Sequence, residues 1–174
     1  MSNAMSRESN PTLLVIGYGN ELRGDDAVGI RVARAVASWN LPDVGALAVH
    51  QLTPELAERL AEADVAIFVD AWHTSADREP RLQFLDAPGE TCFDAQISSP
   101  RSLFALTRVL YRRSPQAWLM SIPASNFDFG ASFSPVTCRG MIVTLRFLRD
   151  MVPLLRQQQR RRQVGYSRHV MAAR

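Results

Sequence analysis

Thr12-Leu13-Leu14-Val15-Ile16-Gly17-Tyr18-Gly19-Asn20-Glu21-Leu22-Arg23-Gly24-Asp25-Asp26-Ala27-Val28-Gly29 is the stretch that decides the fold. Residues 12–17 are an apolar, β-branched run ended by glycine, the pattern of a buried strand. A glycine-rich turn follows, then two adjacent carboxylates, then a helical period over 26–39. Val28, Val32, Ala35 and Trp39 fall on one face of that helix, and Arg31, Arg34 and Ser38 fall away from it. A strand–loop–helix unit with acids at its mouth is where α/β proteins carry their chemistry.

The alternation continues downstream. Ala46 to His50 suits a second strand. Thr53-Pro54-Glu55 opens a helix, with Thr53 at the N-cap, Pro54 at the first helical position and Leu56, Leu60 and Ala63 as its stripe. Asp64-Val65-Ala66-Ile67-Phe68-Val69-Asp70 is the clearest strand, and its unbroken apolar run requires cover on both faces. Residues 72–81 read as a polar loop, Leu82 to Leu85 as an edge strand, Ser102 to Tyr111 as a helix and Ala117 to Ile122 as a strand. Residues 123–135 read as a loop, and Pro135 starts a helix that runs to about Leu155. This order predicts an α/β three-layer sandwich: a mostly parallel, roughly five-stranded sheet with helices on both faces. The domain spans 11–155. Residues 1–10 are a leader in which Met1-Ser2-Asn3-Ala4 before Met5 has the look of a tag remnant. Residues 156–174 form a basic tail expected to be frayed or disordered.

Composition narrows the function classes. The chain has 174 residues, enough for one domain with a real core. No apolar stretch approaches the roughly 18 residues that span a bilayer, and the first residues carry no secretory pattern, so a cytoplasmic protein without a membrane partner is expected. Cys92 and Cys138 lie in no metal-ligand spacing and read as free thiols. All 20 basic residues are arginines, and six of them stand in the acid-free segment 151–174. With those six set aside, the formal charge of +3 becomes −3. An acidic body without a recognition motif argues against a nucleic-acid partner.

The chemistry concentrates on two carboxylates. Asp26 lies just past the carboxyl end of the first strand and Asp70 at the end of the third. In the common strand order 2-1-3-4-5 those strands are neighbours, and the crevice opens between their carboxyl ends. Two acids that close repel, and a divalent cation would relieve them. Asp25 suits a helix cap or a partner of the helix dipole; Asp26 is open to the same reading. Asp70, ending a buried run, has less structural reason to be acidic. Phosphate binding fails on residue types. Leu22 stands where a dinucleotide fingerprint needs its third glycine, two acids would repel a pyrophosphate, and no Gly-Lys-Ser/Thr occurs. There is no Gly-x-Ser-x-Gly elbow, and Cys92 reads as an ordinary thiol.

The segment Gly17 to Gly29 resembles the signature of the hydrogenase maturation proteases, endopeptidases that remove a C-terminal extension from the large subunit of nickel–iron hydrogenases. Thr53-Pro54-Glu55-Leu56 and Phe68-Val69-Asp70-Ala71 follow in the family's order. Weaker matches are Ser99-Pro100-Arg101-Ser102-Leu103, Ser121-Ile122-Pro123 and Phe133-Ser134-Pro135. The resemblance implies a peptidase whose catalytic and metal-contacting acids are Asp26 and Asp70. It implies nickel delivered by the substrate rather than permanently bound, and a hydrogenase large-subunit precursor as partner. The family's third metal contact, a histidine opening a helix, falls near Arg101, and no histidine occurs from Thr74 to Arg168. Arginine cannot ligate a metal; facing the cleft, it would neutralise the two acids instead. Three readings stay open: His73 substitutes as metal ligand; the two carboxylates act with a neutral group such as Gln96; or the chain has lost proteolysis and acts as a non-cleaving metalloprotein-binding or maturation accessory protein. His50 stands at the end of the second strand but farther out, and His169 belongs to the tail. The loop Ala124 to Ser134, with Phe127, Phe129 and Phe133, suits either a grip on a substrate tail or a core-anchored loop.

Overall fold

In a computed structural model, the described residues are 12–76, 78–86 and 99–172, with side chains described to 161. Cys92 and Gln96 lie outside them. Five strands, β1 (Leu13–Tyr18), β2 (Val44–Val49), β3 (Val65–His73), β4 (Arg81–Phe84) and β5 (Gln116–Ala124), form one sheet in the order β2-β1-β3-β5-β4. All pairings are parallel except β4 with β5. Helices α1 (Val28–Ala37), α2 (Leu56–Glu62), α3 (Pro100–Tyr111) and α4 (Pro135–Ala172) cover both faces. The three-layer α/β sandwich expected from the alternation is what the chain forms.

Strand alternation sorts the core into two sides. Leu13, Val15, Val65, Ile67 and Val69 pack with Val28 and Val32 of α1 and Leu148 and Val152 of α4. Leu14, Ile16, Ala66 and Phe68 pack with Leu60 of α2 and Leu103 and Phe104 of α3. Each fully buried Leu, Ile, Val or Phe contributes about 1.5–3 kcal/mol, so β1 and β3, buried on both faces, anchor the sheet. Among the described residues no helix is long and apolar enough to cross a membrane.

Several boundaries differ from the sequence reading. The first helix begins as a 3-10 turn, Gly24–Ala27, before α1 proper. The second starts at Leu56 rather than on the Thr53 cap. Its Glu55 N-cap makes no side-chain cap bond, and the Thr53 carbonyl instead accepts from Leu56 N at 3.1 Å. Residues 72 and 73 belong to β3, not to a loop, because β5 runs on beside them and pairs Trp72 with Pro123 and His73 with Ala124. The last helix passes Leu155 and reaches Ala172. Its extension is held by Arg156, bidentate to Asp43 at 2.6 Å, and by Gln159 on Asp64.

The docking of α1 needs a residue without a side chain at Gly29. A Cβ there would stand 2.3 Å from the Val69 carbonyl oxygen and 2.6 Å from that of Tyr18. The helix start thus rests directly on the ends of β1 and β3. Glycine to alanine inside a helix ordinarily stabilises by up to about 1 kcal/mol. Here the opposite sign is expected: Gly29→Ala destabilises by about 1–3 kcal/mol through overpacking, measurable as a lowered denaturation midpoint at unchanged slope.

Candidate active site

The strand order reverses at β1, which lies between β2 on one side and β3 on the other. The crevice between the carboxyl ends of β1 and β3 is therefore the switch point where ligands of open α/β sheets bind. Tyr18 ends β1, Asp70 lies near the end of β3, and Asp26 stands in the 3-10 turn above them. α3 leads into parallel β5, so it runs against the strands and its N-terminus, capped by Ser99 Oγ accepting from Ser102 N, lies at the same edge.

Asp70 is half-buried. Its Oδ2 accepts from the Tyr18 hydroxyl at 2.8 Å and its Oδ1 from Ala71 N at 2.8 Å. Burial, assisted by the negative charge of Asp26, raises its pKa above the ordinary carboxylate value, against the lowering effect of those two hydrogen bonds. Tyr18 is raised in turn, first by burial and then by Asp70, so its hydroxyl stays a donor. Asp26 accepts one hydrogen bond, from Asn20 N to Oδ2 at 2.9 Å, and among the described residues its other oxygen has no partner. The turn that holds it needs glycine at position 19, where φ is +141° and a Cβ would stand 1.9 Å from the Asp26 carbonyl oxygen.

Asp25 has a different task from the capping one read in sequence. It is completely buried, and neither the 3-10 turn nor α1 has a side-chain cap. Its Oδ2 accepts from Ser125 N, Asn126 N and Ser134 Oγ, and its Oδ1 from Ser134 N, all at 2.7–2.8 Å. Burial works to raise its pKa, but the Ser134 hydroxyl and the three amides outweigh it and hold the carboxyl below its usual value. One carboxylate thus fastens both ends of the loop between β5 and α4 to the first turn.

His73 is not brought to Asp26 and Asp70. Because β3 continues through it, it alternates onto the face opposite Asp70. Its ring packs on Phe127 with centroids 5.4 Å apart. Arg101 is exposed in the first turn of α3 and pairs with neither acid. His50 is exposed beyond β2. Among the described residues no group of three His, Cys, Asp or Glu is placed to hold a metal. Among the described residues the crevice brings together two carboxylates and a tyrosine. The sequence reading missed Tyr18. Its signal was the alternation Leu14, Ile16, Tyr18, which puts the phenol on the Asp70 face of the sheet. The aromatic loop divides: Phe133 packs on the core, Phe127 on His73, and Phe129 is 81% exposed.

The two kinds of carboxylate predict opposite stabilities. Asp25→Asn strands donors that a single amide oxygen cannot satisfy, with an expected loss of about 2–4 kcal/mol. Asp70→Asn removes a charge that burial disfavours, so it should leave the melting temperature unchanged or raised. The pH signs follow. Asp25 is depressed when folded, so its contribution is complete above 3.8 and is lost as pH falls through its folded value. Asp70 is raised, so it weakens the fold as pH climbs from 3.8 through its folded value and is constant above that. Urea titrations between pH 3 and 7 on both variants test this: Asp25→Asn should flatten the acid limb, and Asp70→Asn should remove the opposing slope.

No protein-family model and no curated protein matches this chain. Solved structures do. The NiFe hydrogenase maturation protease HycI from Thermococcus kodakarensis KOD1 superposes with a TM-score of 0.63 at 19% identity, covering 81% of this chain and 92% of that one. A hydrogenase 2 maturation peptidase from Thaumarchaeota archaeon SCGC_AB-539-E09 gives 0.61 at 19% identity, covering 82% and 98%. The hydrogenase maturating endopeptidase HybD from E. coli gives 0.52 at 24% identity, covering 84% and 93%. Over nearly the whole of those chains, this protein has the three-layer α/β fold of the hydrogenase maturation proteases.

Proposed function

We propose that this protein is a maturation endopeptidase that removes the C-terminal extension of a nickel-loaded nickel–iron hydrogenase large-subunit precursor. The observation that carries the reading is the carboxylate pair at the switch point, Asp26 and Asp70, with Asp70 raised by burial and by its neighbour's charge. Such a pair is at its most favourable with a cation between its members. The nickel enters as part of the substrate, already held by the precursor, and the two carboxylates add oxygen donors to it. Tyr18 keeps Asp70 aimed by donating to the oxygen that its backbone contact leaves open. A metal held between Asp26 and Asp70 would supply Lewis acidity to a nearby water and to the peptide carbonyl. The fold shared with proteases and peptidases of hydrogenase maturation supports the same reading. The protein would work in the cytoplasm.

A second reading is favoured by one observation: His73 faces away from Asp70, and among the described residues no histidine joins the pair. On that reading the protein binds a precursor or another metalloprotein without cutting it. Incubation with a nickel-loaded precursor separates the two. Loss of a C-terminal peptide, reduced by about a hundredfold or more in Asp70→Asn and in Asp26→Asn, is the expected result by mass spectrometry. A stable complex with intact precursor, unaffected by time, would establish the non-cleaving role instead.

A further inference from the structure

Two loops meet beside Asp26. Arg23 and Gly130 form an isolated parallel bridge, closed by Gly24 N on Gly130 O at 2.8 Å and Gly130 N on Leu22 O at 3.0 Å. The first loop is held from within, Leu22 N donating to Asn20 Oδ1 and Asn20 N to Asp26 Oδ2. The second is held by Asp128 N on Asn126 Oδ1, by Asn126 Nδ2 on Ser132 O and by its four hydrogen bonds to Asp25. This fixed backbone nevertheless presents Leu22 at 65% and Phe129 at 81% exposure. The guanidinium carbon of Arg23 lies 5.4 Å from the centroid of the Phe129 ring, and among the described residues Arg23 has no carboxylate partner.

Single exposed apolar side chains are ordinary. A pair of them on a hydrogen-bonded turn, flanking an arginine with no carboxylate partner among the described residues and joined by hydrogen bonds to Asp26, suits a binding surface. A backbone already held by hydrogen bonds costs less to order when a partner covers it, and aromatic rings and arginine dominate binding energies. We propose that Leu22, Arg23 and Phe129 form the docking rim for the precursor polypeptide. They would receive a segment that sets an apolar side chain against Leu22 and Phe129 and a carboxylate against Arg23. The inference rests on the precursor being the substrate. The rim stands open rather than enclosed, which suits a polypeptide surface and not a small ligand. Arg23, with no ion pair among the described residues, is where charge would select an acidic group on the partner.

The test measures the Kd of the uncut nickel-loaded precursor for the Asp70→Asn protein, alone and combined with Phe129→Ala or Arg23→Gln, while the otherwise unmodified protein is assayed for cleavage in parallel. Both side chains are exposed, so melting temperatures should not move. Phe129→Ala should weaken binding roughly tenfold or more. Arg23→Gln should weaken it less and remove part of its salt dependence. Unchanged Kd values in both variants, on a precursor that the parent protein cuts, would overturn the rim and leave the protease reading standing. A precursor that the parent neither binds nor cuts would overturn the protease reading, and the rim's occupant with it.

Discussion

The buried carboxylate of Asp25 accepts hydrogen bonds from Ser125 N, Asn126 N, Ser134 N and Ser134 Oγ, and the upper edge of the molecule depends on it. A carboxylate removed from water is costly unless its lone pairs are met, and here four donors meet them. Those donors come from the two ends of one loop, a hundred residues away in the chain. The acid therefore fixes three things together: the first turn that carries Asp26, the loop that carries Phe127 and Phe129, and the start of α4, where Ser134 also contacts Thr137.

Adjacent aspartates in one motif thus divide the labour. Asp25 is stabilised by its surroundings and builds the frame. Asp26 keeps one oxygen without a partner among the described residues and faces the crevice. Asp70 is tolerated rather than favoured: burial and Asp26 act against its charge, and only the Tyr18 hydroxyl and the Ala71 amide act for it. A fold that maximised stability would place a neutral residue there. Asp70 stands instead at the switch point, where the sheet topology opens a crevice.

Much of this was legible in the residues. The apolar runs at 13–16 and 65–69 named the two central strands, because only strands covered on both faces read so. The Gly17-Tyr18-Gly19 turn and the acids after it were legible as a strand–turn–helix unit, and the structure sets that turn at the carboxyl end of β1. Boundaries that depended on a partner were not legible. Trp72 and His73 are strand because β5 extends beside them, and no local pattern records a neighbour's length. The consequence reaches the candidate site: with β3 continuing, the alternation of side chains carries His73 to the face opposite Asp70. The final helix passes Leu155 for a similar reason, since Asp43 and Asp64, distant in sequence, supply partners for Arg156 and Gln159.

The sequence by itself determined the layers, the central strands and the candidate acids, because hydrophobic period and turn chemistry are local properties of a chain. Only the tertiary structure decided what each acid does. Asp25 and Asp26 are neighbours with the same side chain, and nothing local distinguishes them. One meets the amides of a remote loop and is fully satisfied; the other meets a single amide and the field of Asp70. Hydrogen-bond satisfaction and the proximity of like charges are properties of the folded arrangement, and they separate the acid that holds the structure from the two acids left at the switch point.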